Sequence, residues 1–149
     1  TFLFRIVGVD GSSMEYTLSD QDRLIITHLF YEPEQGDIVV LELDELFEQP
    51  IIKRVVAIEG QTVDITDDGK VIVDGQELQE DYIHDPTNPK NGVYPITVPE
   101  NYVFVMGDNR NNSSDSRVAE VGNIKRNQII GRAWMRVWPF KDMEMIRHK

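Results

Sequence analysis

Three short stretches of this chain hold residue types suited to acyl transfer. The first is Asp10-Gly11-Ser12-Ser13, which follows a run of β-forming residues. A serine on a turn just past a strand can present its hydroxyl beside backbone N–H groups that would meet a bound carbonyl. A serine nucleophile needs that geometry. The plainer alternative is that Gly-Ser-Ser is only a turn. The second stretch is Pro50-Ile51-Ile52-Lys53-Arg54-Val55-Val56-Ala57-Ile58, a lysine inside an apolar run of strand length. Successive strand residues point to opposite sides, so Lys53 and Arg54 face oppositely. Arginine keeps its charge, whereas a lysine turned inward can lose its proton. Desolvation lowers a lysine pKa from roughly 10.4. A value of about 7–8 suits a general base. The alternative is a lysine snorkelling at a strand edge.

The third stretch is Gly107-Asp108-Asn109-Arg110-Asn111-Asn112-Ser113-Ser114-Asp115-Ser116-Arg117, with no large apolar residue. It carries two Asp, two Arg and three Ser, groups that satisfy one another through hydrogen bonds and ion pairs. A flexible linker would instead be Gly/Ser/Pro-rich or of one charge sign. The composition predicts an ordered polar loop that holds other side chains in place. Taken together the three stretches complement one another. A neutral Lys53 can take the proton of Ser13 without any histidine, Ser113 can orient the amine, and Asp115 with Arg117 can brace the loop as an ion pair.

The rest of the chain must position these groups. Its 149 residues suffice for one domain with a real core. The absence of cysteine excludes disulfides and zinc-thiolate sites. A net charge of −11 argues against nucleic acid as a partner, because Lys and Arg must neutralise phosphates, and against polybasic membrane binding. No apolar run reaches the roughly 20 residues that span a bilayer. The abrupt apolar start, Thr1-Phe2-Leu3-Phe4, reads as a piece cut from a longer chain, with a membrane anchor expected before it.

Strand signals dominate. Runs are predicted over residues 2–9, 23–26, 38–43, 51–58, 62–66, 70–73, 101–106 and 129–137, with Asp67-Asp68-Gly69 and Asp74-Gly75 as hairpin turns. Residues 81–99, rich in Pro and Asn/Asp, read as a long irregular excursion, and one short helical turn is expected around residues 123–127. The predicted fold class is mainly β, with antiparallel sheets forming a single compact domain over residues 1–149, an irregular insertion and little helix. His28, His84 and His148 are scattered outside any metal or triad spacing, and the acidic run 64–75 does not fit a calcium loop, so no metal and no cofactor are expected.

In order along nearly the whole chain, these stretches resemble the type I signal peptidases, the Ser/Lys-dyad endopeptidases that remove signal peptides. Ser13-Met14-Glu15-Tyr16-Thr17-Leu18 resembles their SMxPTL nucleophile motif, with Tyr16 at the proline. Gly36-Asp37-Ile38-Val39-Val40 resembles the next box. Lys53-Arg54-Val55 with Gly60 resembles KRVxGxPGD, with Ala57, Glu59 and Gln61 as departures. The loop matches GDNRxNSxDSR in full, and Trp138-Pro139-Phe140 resembles the C-terminal end. The resemblance implies Ser13 as nucleophile, Lys53 as general base, Ser113 as orienter of the amine, and Asp115 with Arg117 as the bracing pair. It implies the Ser13 backbone N–H as one oxyanion donor. Some members, mainly those like the Gram-negative enzymes, have a serine two positions before the nucleophile as the second donor; this sequence has Gly11 there, as many Gram-positive-type members do, and Ser12 or a water is left for that role.

Cleavage after small residues, usually Ala, at the first and third positions before the scissile bond is implied. Val7, Val9, Met14, Leu18 and Ile52 correspond to the shallow substrate pockets, with core packing as their alternative. The implied partners are signal peptides of secreted preproteins and the cytoplasmic membrane, with the domain on its extracytoplasmic side. Residues near Thr1, Trp134 or Trp138 would touch lipid, or the tryptophans belong to the core. Two other readings are a self-cleaving repressor-type Ser/Lys domain, which lacks this loop signature, and a non-catalytic signal-peptidase-like accessory protein of pilus assembly, in which Ser or Lys is typically lost.

Overall fold

A computed structural model describes residues 4–28 and 31–146. Twelve strands follow in chain order: β1 (Phe4–Gly8), β2 (Arg23–Thr27), β3 (Ile38–Leu41), β4 (Ile51–Ile58), β5 (Thr62–Ile65), β6 (Val71–Val73), β7 (Gln76–Glu77), β8 (Ile96–Thr97), β9 (Tyr102–Met106), β10 (Ile124–Lys125), β11 (Ile129–Trp138) and β12 (Glu144–Met145). Eight form one sheet, ordered β1-β2-β11-β3-β4-β9-β10, with β12 paired to β11 outside that path. The other four form a smaller sheet ordered β7-β6-β5-β8. Every pairing is antiparallel. The mainly β reading therefore holds, and among the described residues the only helical segments are single 3₁₀ turns.

β4 lies between β3 and β9 in the middle of the large sheet. Six of its eight residues are buried, so both of its faces are covered, and a strand in that setting reads as a continuous apolar run. Three apolar clusters flank it. One joins Val9, Met14, Leu18, Leu24, Ile26 and Ile52. A second fills the space toward the small sheet with Val56, Val63, Val73 and Phe104. The third gathers Val39, Val55, Val105 and Ile124. The register of β4 against β9 shifts between Val55 and Ala57, a bulge of the kind that re-aims side chains near functional sites.

The boundaries deviate from the sequence pattern in instructive places. The first strand covers Phe4–Gly8, and residues 2 and 3 of the expected run lie outside the described residues, as does His148. The helical turn expected at residues 123–127 is displaced: Ile124–Lys125 pairs with β9, and the 3₁₀ turn follows at Arg126–Gln128. The excursion 81–99 is irregular until β8, where Ile96 and Thr97 pair with β5. Among the described residues no helix is long and apolar enough to cross a membrane.

Candidate active site

β1 leads into the turn that carries Ser13. Gly11 there adopts φ +88°, a left-handed conformation that favours glycine, and its N–H donates to Asp20 Oδ1 at 2.9 Å. Space is not the constraint, since a Cβ on Gly11 would meet nothing within 4 Å. A serine at this position would carry backbone strain, which gives the departure at Gly11 a physical reason. Glu15 N–H then donates to the Ser12 carbonyl, and Leu18 N–H to that of Met14. Met14 and Leu18 are locked into the core while Ser13 stays partly exposed.

Lys53 Nζ lies 2.7 Å from Ser13 Oγ, within hydrogen-bond distance. The residue is only 4% exposed, so the snorkelling alternative does not hold. Burial is the main force that lowers the Lys53 pKa to about 8. Asp115 opposes the shift, Arg117 and Lys90 reinforce it, and Asp108 weakly opposes it. The next residue, Arg54, is also buried. Its guanidinium makes a two-pronged ion pair with Asp108 at 2.9 and 2.7 Å, donates to the Gly36 carbonyl and stacks on the Tyr82 ring at 3.8 Å.

The polar loop follows β9 and bonds to the serine turn through Asn109 and to Arg54 through Asp108. Asp115 accepts from Arg117 Nε and Nη2 at 2.9 and 2.8 Å, from Gly107 N–H at 3.0 Å and from Ser113 Oγ at 2.7 Å. Burial pushes the Asp115 carboxyl up, but these donors and the Arg117 charge prevail and hold it below the ordinary carboxylate range. The brace expected between Asp115 and Arg117 is therefore present, with both side chains fully buried. The direct bond expected from Ser113 to the Lys53 amine is absent. Among the described residues the Ser113 hydroxyl donates to Asp115, a bond strengthened by the charge of the carboxylate. The loop reaches Lys53 through the charge of Asp115.

Several residues in the same constellation escaped the sequence reading. Asn109 clamps the serine turn: its N–H donates to the Ser13 carbonyl at 2.9 Å and its side-chain amide to that of Ser12 at 3.0 Å. Asp108 also accepts from Thr17 Oγ1 at 2.6 Å. Arg110 donates to the Gly107 carbonyl, to Thr87 and, two-pronged, to Glu80. Arg117 reaches the Asn88 carbonyl at 3.0 Å. The excursion is thus tied to the loop at several points. Its irregular sequence carried no period that would have announced this. Tyr16 is exposed and meets His84 edge-on at 4.5 Å between ring centroids. His28 borders a separate cleft with Tyr31 and Tyr102.

Gly107 sits where the two halves of the site come closest. A Cβ there would lie 2.2 Å from Ser113 Oγ and 2.6 Å from the Ser13 carbonyl oxygen. Gly107→Ala must separate the serine turn from the loop, and a misplacement near 1 Å costs catalysis about 100-fold. We expect kcat/KM for peptide-bond cleavage to fall by at least that factor. A variant within threefold of the parent would show that the turn tolerates the shift.

The expected pocket residues come together. Val9, Met14, Leu18 and Ile52 share one apolar cluster, with Val7 packed against it. Met14 and Leu18 are closed off from solvent, whereas Val7 is half-buried.

The family model "Signal peptidase, peptidase S26" matches residues 1–138. "Probable signal peptidase I-1" of Synechocystis sp. is 43% identical over 88% of this chain and 69% of its own length. "Signal peptidase I" of Leptolyngbya laminosa is 40% identical over 93% and 71%. A crystal structure of a signal peptidase I from Enterococcus faecalis superposes with a TM-score of 0.55 at 28% identity, over 68% of this chain and 97% of that one. With a serine and a buried lysine joined beneath a fully matched loop, and a family model covering almost its whole length, the chain belongs to the signal peptidases of family S26.

Proposed function

We propose that this chain removes N-terminal signal peptides as a serine endopeptidase whose working pair is Ser13 and Lys53. The observation that carries the reading is the 2.7 Å approach of a buried Lys53 Nζ to Ser13 Oγ. In its neutral form the amine accepts the Ser13 proton while Oγ attacks the scissile carbonyl carbon. The oxyanion that forms is met by the Ser13 backbone N–H, which has no acceptor among the described residues. Collapse of the tetrahedral intermediate breaks the peptide C–N bond, and the Lys53 ammonium returns its proton to the departing amine. A water, deprotonated by Lys53 in turn, hydrolyses the acyl-enzyme and restores Ser13. Asp115 and Arg117 hold the loop that fixes this geometry, and Ser113 acts on Lys53 through Asp115.

The apolar cluster of Val9, Met14, Leu18 and Ile52, with Val7 packed against it, would suit shallow pockets that admit a methyl side chain, hence cleavage after small residues. An extended substrate would lie as an added strand beside β1 and the Ile51–Lys53 end of β4, which β9 leaves unpaired. The exposed side chains of Phe4, Ile6, Trp138 and Phe140 suit contact with the membrane face from which a preprotein emerges. Trp134, 6.0 Å from Phe4 between ring centroids, is half-buried, whereas Trp138 is exposed. The domain would act on the extracytoplasmic side of the cell membrane.

The pH–rate profile tests the dyad. Protonated Lys53 cannot accept the serine proton, so kcat/KM should rise about tenfold per pH unit on the acidic side and level off above a midpoint near the Lys53 pKa of about 8. A flat profile through that region would sink the dyad reading.

A further inference from the structure

The excursion places a second lysine on the loop that abuts the serine turn, where Ser113 Oγ and the Ser13 carbonyl close on Gly107. Lys90 Nζ donates to the backbone carbonyl of Ser113, the residue whose hydroxyl is bonded to Asp115. The Lys90 backbone is itself set by an Asx-type bond from its N–H to Asn88 Oδ1 at 2.6 Å, and its φ is +56°. The turn is anchored on both sides, by Arg117 on the Asn88 carbonyl and by Ala119 N–H on Asn91 Oδ1 at 2.8 Å. The Lys90 ammonium is therefore held against the loop rather than waving in solvent.

The charges facing Lys53 are Asp115 and Arg117 from the loop, Asp108 from the loop's start and Lys90 from the excursion. Asp115 and Arg117 neutralise each other at 2.8 Å, and Asp108 is neutralised by Arg54 at 2.7 Å. Lys90 forms no salt bridge among the described residues. Once the two ion pairs cancel, Lys90 is left as the net positive charge in the group. Its field disfavours a second ammonium at Lys53, and Lys90 is indeed among the groups that lower the Lys53 pKa.

We propose that Lys90 is a positioning residue for the Ser13–Lys53 pair: pinned on the Ser113 carbonyl, it supplies the positive charge that keeps Lys53 in its neutral, proton-accepting form. This inference rests on Lys53 being the base. It gives the excursion an electrostatic task in a reaction whose bond-making groups all lie elsewhere.

The test compares the parent with Lys90→Gln and Lys90→Arg, two side chains that meet the same left-handed backbone as lysine. The measurement is kcat/KM on a signal-peptide substrate from about pH 6 to about pH 10, a range that brackets lysine titration in a buried setting. The acidic limb of Lys90→Gln should move up by about half a pH unit, which is about threefold lower activity below the midpoint, with the alkaline plateau unchanged. Lys90→Arg should superimpose on the parent. Because Lys90 is exposed, added salt should shrink the difference between parent and Gln variant. An unmoved limb in Lys90→Gln, a loss equal at every pH, or an Arg variant that behaves like Gln would each overturn the proposal. A parent without any acidic limb would instead remove the dyad reading on which it stands, and the proposal with it.

Discussion

Lys53→Met is expected to be catalytically dead and more stable than the parent at neutral pH. Methionine matches the length of the lysine stem but accepts no proton, so cleavage should fall by about 10,000-fold or more, as it does when one member of a catalytic unit is lost. Ser13→Ala should fall as far, and the double variant no further, because the two act as one unit. The stability gain follows from linkage. The folded chain holds Lys53 at about 8 against an ordinary 10.5. Between those values the unfolded chain binds more protons, so the contribution of this group to stability rises with pH across that window. Below about pH 8 the full cost is present, and above 10.5 it is gone. Removing the amine should therefore stabilise the fold by up to about 3 kcal/mol at pH 7 and by little near pH 10.5. Denaturant unfolding of both proteins at the two pH values reads this out. A Met variant equally stabilised at both, or one that still cleaves, would contradict the assignment.

Arg117→Met carries the largest expected loss of stability. It leaves the Asp115 carboxylate buried at 0% exposure with its principal charge partner gone. Breaking a buried pair from one side costs about 3–5 kcal/mol. The orphaned carboxyl answers by taking up a proton more readily, so the deficit should narrow as pH falls. Activity should drop as well, since Asp115 organises Gly107 and Ser113. Replacing both partners, Asp115→Asn with Arg117→Met, should recover part of the stability without the activity, as expected when no buried charge is left unpaired. Urea midpoints of the two single variants and the double variant give the coupling. A single-variant loss below about 1 kcal/mol would mean that solvent reaches the pair.

Much of this arrangement was legible in the residues, for identifiable reasons. Ile51–Ile58 stands as one strand with its predicted bounds, because a continuous apolar run through a covered sheet is a strong signal. Asp74-Gly75 turns where the positive φ of both residues requires it. That the loop is ordered by its polar groups, as in the Asp115–Arg117 pair, followed from its composition. What stayed hidden depended on partners far apart in sequence. The two-residue strands β7, β8, β10 and β12 are too short to show a period. Which groups lie within reach of the Ser113 hydroxyl is a matter of ångström-scale placement, which spacing cannot supply. Arg54 looked like the neighbour of the interesting lysine, yet it anchors Asp108 and thereby Thr17 on the serine turn. The excursion, unreadable by pattern, supplies Tyr82, Thr87, Asn88 and Lys90 to the surroundings of the site.

The interlocking of the polar loop also bears on how such a sequence can change over time. Asp115 serves Arg117, Gly107 and Ser113 at once, and Arg110 serves Gly107, Thr87 and Glu80. A single replacement of Asp115, Arg117 or Arg110 strands at least one buried polar group, so the intermediate on the way to a different arrangement is worse than either end. Substitutions within contact of one another do not add, and here the non-additivity runs through the buried members of the segment. Drift can alter Asn111 or Ser114, which are exposed, but it has no gradual route through the set that Asp115, Arg117 and Arg110 hold together. That buried set changes together or not at all.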